Sequence, residues 1–246
     1  MTDHFTAQLH ALGLQPGDVV LMHSSMKALG TKMPPEAFLR AVIAALGQEG
    51  TLLLPALTYD NVTADQPLFS ARTTVPCVGL LPRTFFRMEG VARSLHPTHS
   101  VCAFGRKAKE LTSRHALDDT PVGPRSPFML LPAHGGKLLF VGDVVRSCTF
   151  MHGVEEIARA PYALKKERTR FIIEDEENRR ITRDMICHDF QGWRQEYQRI
   201  REIVTYPDIR TGKVGKADCT LIDAGALGEK ALEKLHGDPY FFVSRI

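Results

Sequence analysis

The stretch KLLFVGDVVRSCTFMHGVEE (137–156) determines the fold more than any other part of the chain. It opens with a short apolar run bounded by glycine, which is typical of a buried strand. TFMHGVEE (149–156) follows, and helical spacing would place Thr149, His152 and Glu155 on one face. A buried strand that leads into a polar helix is the repeating unit of α/β proteins.

The same alternation of strand and helix runs through roughly residue 160. Apolar, β-branched runs predict buried strands, and helical spacing with proline or glycine at its ends predicts helices. The predicted strands are VVLMH (19–23), GTLLLPALTY (50–59), HSVCAFG (99–105) and KLLFVG (137–142), and the predicted helices span 3–13, 34–47, 78–90, 106–115 and 149–160. The fold class that this order predicts is α/β, with a layered core.

The pattern changes after Pro161. RFIIEDEENRRITRDMI (170–186) predicts a strand, a polar turn and a strand, hence a hairpin. A helix over 190–203, a short strand within GKADCTLIDA (215–224) and a last helix over 225–235 are predicted next. We expect a single domain over 1–246, in which an α+β part (161–246) packs on the α/β core (1–160).

Composition excludes several classes of function. The 246 residues are 43% hydrophobic and 24% charged, as in ordinary globular proteins. The net charge of +3 comes without a basic patch interleaved with aromatics, so we expect no nucleic-acid partner. The N-terminus lacks signal-peptide features, and no apolar run approaches the ~20 residues that span a bilayer. We therefore expect a cytoplasmic protein with no membrane partner.

The cysteines and histidines do not form a recognisable metal or disulfide pattern. Five widely spaced cysteines without a CxxC pair favour buried thiols over a disulfide framework or a zinc site. His96 and His99 could both bind a metal, but no carboxylate or thiol stands at a convincing spacing from them. We expect no metal.

Polar residues follow the predicted strands of the first part. HSS (23–25) follows the first strand and TYD (58–60) follows the second. Ligands of open α/β sheets bind beyond the carboxyl ends of strands, so we predict a pocket where these loops meet the 149–160 helix. The serines could offer hydroxyl and N–H groups to a phosphate or carbonyl, or could simply satisfy the local backbone.

Several interpretations stay open for His152. It could be a general base oriented by Glu155, or it could activate Cys148 as a thiolate nucleophile. With Cys148 and a carboxylate it could also begin a metal site. The structural alternative is that Thr149 caps a helix whose positive end Glu155 or Glu156 complements. That alternative explains His152 poorly, because imidazole has no preference for a helix start.

RSLHPTHS (93–100) is a second polar cluster. Arg93 could pair with a phosphate through a charge-assisted fork, while Pro97 stiffens the turn. The alternative is a polar surface loop.

Taken together, these segments resemble the aminoglycoside 3-N-acetyltransferase family. The most specific parts are the RSxHPxxS stretch, the SP dipeptide at 126–127 and the TxxHxxE segment. The resemblance runs in order through LMHSSMKALG (21–30), GTLLLP (50–55), LTY (57–59), GLLPRTFFRMEGVARSLHPTHSVCAFG (79–105), PVGPRSPFMLL (121–131) and TFMHGVEE (149–156). It covers nearly the whole chain.

The resemblance implies an acetyl-CoA-dependent N-acetyltransferase with a layered α/β/α sandwich around a central mixed sheet. It implies direct transfer to an amine, the 3-amino group of a 2-deoxystreptamine aminoglycoside, without a metal. His152 would be the general base, Glu155 its orienting partner, and Thr149 a residue of the reaction centre. We expect a monomer or a homodimer.

The resemblance also implies binding residues. The coenzyme would be held by His23, Ser24, Ser25, Met26, Arg93, Ser94, His96 and Ser100. For the acceptor, our own expectation is that Thr58, Tyr59, Asp60 and Glu156 bind it. The acidic pocket that a polycation needs could be formed by Asp60, Asp65, Glu155 and Glu156. Three alternatives remain. The first two are a family member acting on a different amine in a biosynthetic pathway, and a thiol-dependent acyltransferase or hydrolase using Cys148 and His152. The third is a binding module that keeps the pocket without the chemistry, against which the intact TxxHxxE segment argues.

Overall fold

A seven-stranded mixed β-sheet forms the centre of the protein. The structure is a computed structural model that describes residues 2–246, with side chains from residue 4 onward. The strands of all sheets within the described residues are β1 (Val19–Ser24), β2 (Thr51–Pro55), β3 (Leu68–Ser70), β4 (Ala92–Arg93), β5 (Val101–Gly105), β6 (Lys137–Val141), β7 (Leu164–Glu174), β8 (Arg180–His188), β9 (Trp193–Gln195), β10 (Ile209–Val214), β11 (Ala217–Asp223) and β12 (Val243–Arg245). The helices are α1 (Thr2–Leu12), α2 (Met26–Leu29), α3 (Pro35–Leu46), α4 (Leu80–Phe85), α5 (Ala108–Thr112), α6 (Pro127–Leu130), α7 (Phe150–Ile157), α8 (Ile200–Ile203) and α9 (Ala224–Gly237).

The order of the central sheet is β10-β11-β6-β1-β2-β5-β4. β1 pairs in parallel with both β2 and β6, and Leu21 faces Leu53 on one side and Leu138 on the other. The remaining neighbours are antiparallel. Because β1, β2 and β6 run in the same direction, their carboxyl ends lie at one edge of the sheet, where α/β proteins bind ligands.

Both faces of the central sheet are covered. Val19 and Leu21 of β1 belong to one buried cluster, together with residues of α7 and α9. Val20 and Met22 belong to another, together with residues of α1, α3 and α4. A strand buried on both faces needs a continuous apolar run, which is what 19–22 provides. The α/β/α sandwich around a mixed sheet is therefore confirmed.

A second, three-stranded sheet of order β3-β7-β8 contains the hairpin. The hairpin is confirmed, and its strands are longer than expected, from Leu164 to His188. Its buried side chains include Phe69, Phe171 and Met185. The polar turn between the strands is stabilised by Asp175, whose carboxylate accepts from the N–H groups of residues 177 and 179.

The helix expected over 190–203 is wrong in its first half. Gly192 has φ +80°, and β9 pairs with β12 near the C-terminus, so that Arg194 faces Ser244. Helical structure begins only at Tyr197, in a 3₁₀ turn that leads into α8. A strand pairing with a segment some 50 residues away overrides the local helical spacing.

The boundary expected near residue 160 does not divide the central sheet. β11 pairs with β6, with Leu221 opposite Leu139, and β10 lies outside β11. Residues 209–237 therefore belong to the sandwich, while the hairpin pairs with β3 in the separate three-stranded sheet. None of the helices within residues 2–246 is long and apolar enough to cross a membrane.

Candidate active site

A cavity of about 740 Å³ opens at the predicted edge of the sheet. His23 and Ser24 line it from the end of β1, Tyr59 from the loop after β2, and Thr149 and His152 from the start of α7. The β7–β8 hairpin and the segment after it form the facing wall. That wall includes Lys165, Thr169, Phe171, Cys187, His188, Phe190, Gln195 and Tyr197.

α7 holds His152 at the cavity because the helix approaches α6 very closely. A Cβ at Gly153 would clash with Sδ of Met129 and would lie 2.7 Å from a methyl of Val122. Glycine in a helix interior costs about 1 kcal/mol relative to alanine, so its presence here reflects this contact. The packing of Gly153 fixes the direction in which its neighbour His152 points.

His152 is hydrogen-bonded through a tyrosine to a buried carboxylate. Its Nδ1 lies 2.7 Å from the hydroxyl of Tyr197, which in turn donates to Oε2 of Glu155 at 2.7 Å. The direct distance from Nδ1 to Oε2 is 3.5 Å. Because the phenol proton goes to the carboxylate, the phenol oxygen accepts from Nδ1–H. We therefore assign the Nδ1–H tautomer, which leaves the lone pair of Nε2 free to accept a proton.

The Glu155 carboxylate is completely buried. Tyr162 donates to its Oε1 at 3.0 Å, and Tyr197 donates to Oε2. Burial, followed by the charge of Glu155, raises the pKa of both tyrosines, so they remain protonated donors. A buried carboxylate is tolerated when such hydrogen bonds compensate for lost water.

Three further histidines line the cavity, and all three are neutral at neutral pH. Burial lowers the pKa of His23 to about 3, with the nearby charge of His152 as a second cause. Burial, followed by neighbouring histidines, also places the pKa of His99 and His188 well below its usual range. The His188 ring lies 4.7 Å from that of His99 and 4.9 Å from that of His152.

Two buried polar atoms at the end of β1 have no hydrogen-bond partner within the described residues. They are Nε2 of His23, whose ring stacks on Phe140, and Oγ of Ser24. Buried polar groups normally have partners, so unpaired ones beside a cavity point to a bound ligand. Thr149 also lines the cavity; its hydroxyl lies 3.5 Å from the Ser147 carbonyl and does not cap α7.

Most of the RSLHPTHS segment (93–100) supports the loops around the cavity from behind, whereas its Thr98 and His99 line the cavity itself. The Arg93 guanidinium is buried and donates to the backbone carbonyls of Ala56, Ala71 and Thr74. It does not line the cavity, and its donors are not free for a phosphate. Ser94 is hydrogen-bonded to His115 Nδ1, and Ser100 donates to the carbonyl of Ala56. His96 Nδ1 accepts from the backbone N–H groups of 98 and 99, whereas its buried Nε2 has no partner within the described residues.

Other expected binding residues also lie outside the cavity lining. Ser25 accepts from the N–H of Ala28 and caps α2, which begins at Met26. Thr58 is buried and donates to the Pro97 carbonyl, whereas Asp60 is exposed. Oε1 of Glu156 accepts from the backbone N–H of Val122 and lies 2.8 Å from His188 Nε2. Glu156 therefore faces the interior behind His188, because its partners lie there.

The thiol and metal interpretations of the TxxHxxE segment find no support in the geometry. Cys148 is buried and does not line the cavity, and burial raises the pKa of its thiol to about 12. A thiolate would be required for nucleophilic attack. Within the described part of the chain, no group of three or more histidine, cysteine or acidic side chains could hold a metal ion.

Sequence reasoning missed Tyr162, His188, Phe190 and Tyr197. Tyr197 lies 45 residues after His152 in a segment expected to be helical, so no local spacing links the two. Phe190 places its ring centroid 4.8 Å from those of both His152 and His188. The one available signal was His188 itself, a histidine two residues beyond the predicted hairpin (170–186).

Comparisons with known proteins agree on one family. A family model described as aminoglycoside 3-N-acetyltransferase matches residues 21–236. Aminoglycoside N(3)-acetyltransferase III of Serratia marcescens is 34% identical over 65% of this chain and 65% of that protein's length. Aminoglycoside N(3)-acetyltransferase IV of Salmonella sp is 31% identical over 96% of this chain and 87% of that protein. A solved structure of a histidine-to-alanine mutant of aminoglycoside acetyltransferase AAC(3)-IVa in complex with a gentamicin matches with a TM-score of 0.83 and 27% identity, covering 98% of this chain and 90% of that one.

Proposed function

The chain belongs to the aminoglycoside 3-N-acetyltransferase family, and on that basis we propose that it transfers the acetyl group of acetyl-CoA directly to an amine, with His152 as general base. The observation that carries this proposal is the hydrogen-bonded chain from Glu155 through Tyr197 to His152 Nδ1, at the wall of the cavity. This series of hydrogen bonds leaves Nε2 of His152 as the proton acceptor.

The proposed reaction needs one proton acceptor and one set of oxyanion donors. Only the free-base amine attacks the thioester carbon; as its N–C bond forms, His152 Nε2 accepts a proton from nitrogen. When the C–S bond breaks, the imidazolium returns that proton to the departing sulfur. The unpaired hydroxyl of Ser24 and the hydroxyl of Thr149, both at the cavity, are suited to donate to the oxyanion.

The cavity residues fit coenzyme A as the donor. Arg146 and Lys165 line the cavity, and neither forms an ion pair within the described residues. Cationic side chains of this kind bind phosphate groups. The unpaired hydroxyl of Ser24 is a further donor suited to the carbonyl of a thioester. The coenzyme supplies the activated acetyl group.

Two acceptors are compatible with this chemistry. The family and the gentamicin complex of a structural neighbour support the 3-amino group of a 2-deoxystreptamine aminoglycoside. The charged members of the cavity lining, Arg146 and Lys165, are cations, and this favours as the second candidate a family member acting on a different amine.

Release of free coenzyme A thiol tests the proposed reaction. We expect purified protein to release thiol from acetyl-CoA only when an amine is added, and the Cys148→Ala variant to retain activity. Thiol release without any amine, abolished by Cys148→Ala, would instead establish the thiol-dependent alternative.

A further inference from the structure

A second histidine–carboxylate pair lies beside His152. His188, at the end of β8, lines the cavity, and its ring centroid lies 4.9 Å from that of His152. Its Nε2 lies 2.8 Å from Oε1 of Glu156. Both side chains of the pair are more than nine-tenths buried. The general-base step proposed above uses neither of them.

The hydrogen bonds of the pair give His188 a defined tautomer. Oε1 of Glu156 already accepts from the backbone N–H of Val122 at 2.8 Å, so we assign His188 Nε2–H as its second donor. The lone pair of His188 is then on Nδ1. Nδ1 has no hydrogen-bond partner within the described residues and is not completely buried, so the cavity reaches it. His188 thus presents a free lone pair to the cavity, as His152 does through its Nε2.

Burial acts in opposite directions on the two members of the pair. It lowers the pKa of His188 well below its usual range, with the charge of His152 as a second cause. It raises the pKa of Glu156 to about 7. A proton that the pair takes up near neutral pH is therefore more stable on the carboxylate than on the imidazole.

The titratable groups that face the pair do not compete for this proton at neutral pH. Those on the imidazole side are His96, His99 and His152, and those on the carboxylate side are Asp118 and His152. Burial lowers the pKa of His96 and His99 well below the usual range, and it raises that of Asp118 only to about 6. Arg146 and Lys165 add two cations to the same cavity wall.

The acetyl transfer produces one proton that His152 does not remove. An aliphatic amine arrives mostly as an ammonium ion at neutral pH, and its nitrogen loses two protons on becoming an amide. His152 takes one of them during attack and returns it to the sulfur as the C–S bond breaks. Ammonium and thioester therefore give amide, thiol and one further proton, for which the site needs a second acceptor.

We propose that His188 and Glu156 are this second acceptor, a relay that takes the first proton from the ammonium group of the acceptor. The proposal rests on the N-acetyltransferase function proposed above. The N–H bond breaks with its electron pair left on nitrogen, and the proton goes to His188 Nδ1 while the Nε2–H proton passes to Glu156 Oε1. His188 stays neutral in its other tautomer, and the proton returns to water by the same route after product release. His188 contacts the amine, and Glu156 acts through His188.

The pH dependence of two variants tests the relay, with gentamicin and acetyl-CoA as substrates. His188→Gln removes the first member. Glu156→Gln keeps an oxygen that can accept from Val122 N–H and His188 Nε2–H, but it cannot take the proton. We expect both variants to lose roughly 100-fold in kcat/KM at about pH 7. The loss should shrink by roughly 10-fold per pH unit and vanish by about pH 9, because more of the amine then arrives as the free base.

His115→Gln is the matched control, a buried histidine outside the cavity lining. Any loss that it causes should be the same at every pH. A pH-independent loss in His188→Gln and Glu156→Gln would show a structural role and overturn the relay. Normal activity of Glu156→Gln beside a defective His188→Gln would also overturn it, because the proton would then not reach Glu156.

Nuclear magnetic resonance of the unaltered protein tests the relay without any variant. Between about pH 8 and pH 6, the ring nitrogens of His188 should report a neutral imidazole with Nε2–H, while the carboxyl carbon of Glu156 titrates near pH 7. Formation of an imidazolium at His188, or a Glu156 that stays ionised over this interval, would overturn the relay. If gentamicin releases no thiol, the proposed function fails for this acceptor, and the same titration still supports or overturns the relay.

Discussion

His152 and Tyr197 form the part of the site on which the proposed chemistry depends. The phenol of Tyr197 is 2.7 Å from both His152 Nδ1 and Glu155 Oε2, whereas the carboxylate itself is 3.5 Å from the ring nitrogen. At 3.5 Å a hydrogen bond is weak, so the carboxylate acts on the imidazole mainly through the tyrosine. Tyr197 is therefore expected to orient His152 and to fix its tautomer.

Tyr197→Phe should lower kcat for thiol release by roughly 10-fold or more, since the orientation of a general base determines its efficiency. KM for the amine should remain unchanged, because the phenol is behind the imidazole. Tyr162→Phe is the control: it removes a donor to the other oxygen of Glu155 without touching His152. Equal losses of kcat in both variants would mean that kcat depends on the hydrogen bonds to the buried Glu155 carboxylate, and not on the orientation of His152 by Tyr197.

At the residue scale the sequence predicts the local part of this site and misses the distant part. Thr149, His152 and Glu155 follow from helical spacing within a short segment. Tyr197 comes from a segment whose backbone is set by the pairing of β9 with β12. The position of its hydroxyl depends on tertiary structure, which local periodicity does not contain.

At the scale of elements, β4 and the loops after β2 and β3 are joined by one side chain. The buried Arg93 guanidinium binds the carbonyls of Ala56, Ala71 and Thr74, and it lies 4.8 Å from the ring centroid of Phe69. Burial lowers the pKa of Arg93 to about 10, so the side chain remains charged at neutral pH. This arrangement makes Arg93 a support for the loops that border the cavity.

Arg93→Lys should lower the free energy of unfolding by about 2–4 kcal/mol, because a lysine cannot reproduce the planar set of donors. KM for acetyl-CoA should stay within about 2-fold of its original value, which corresponds to a change of ~0.4 kcal/mol. Chemical denaturation and initial-rate measurements on the same preparation give both numbers. Unchanged stability together with a large rise in KM would show that Arg93 contacts the coenzyme.

The strand ends of the sheet were predictable, whereas the roles of the polar residues beyond them were only partly so. Apolar runs located β1, β2, β5 and β6, and the pocket follows from the carboxyl ends of the parallel strands β1, β2 and β6. A polar cluster such as RSLHPTHS can face a ligand or hold the backbone with the same residues. To decide between these two roles, one must know the hydrogen-bond partner of each polar side chain. Those partners are distant in sequence and are brought together only by the fold.

For the molecule as a whole, buried neutral histidines link stability to pH. The residues whose pKa is lowered, in each case chiefly by burial, are His23, His96, His99, His115 and His188. In the unfolded chain these histidines bind protons near pH 6.5, whereas in the folded protein they do so only at lower pH. Their contribution to stability is thus present above about pH 6.5 and is lost as the pH falls below it.

We expect each such histidine to lower the free energy of unfolding by up to roughly 1.4 kcal/mol per pH unit as the pH falls from about 6.5 to 5. Asp118 and Glu156 act in the opposite direction, because burial raises the pKa of their carboxyl groups to about 6 and about 7, so they offset part of this fall. The five histidines outnumber these two carboxyl groups, and the net change is a decrease in stability. Urea denaturation at several pH values measures this slope. His115→Gln, at a buried position outside the cavity lining, should reduce the slope. A flat stability profile over this interval would contradict the neutral, buried state assigned to these side chains.

The central claim is that His152 is the general base of an amine acetyltransfer. The most direct measurement is kcat/KM for thiol release by His152→Ala, compared with the original protein on the same amine, with folding checked by circular dichroism and coenzyme A binding by calorimetry. We expect a decrease of ~10²–10⁴-fold with intact folding and coenzyme binding. Undiminished activity in that variant would contradict the claim and would direct attention to His188.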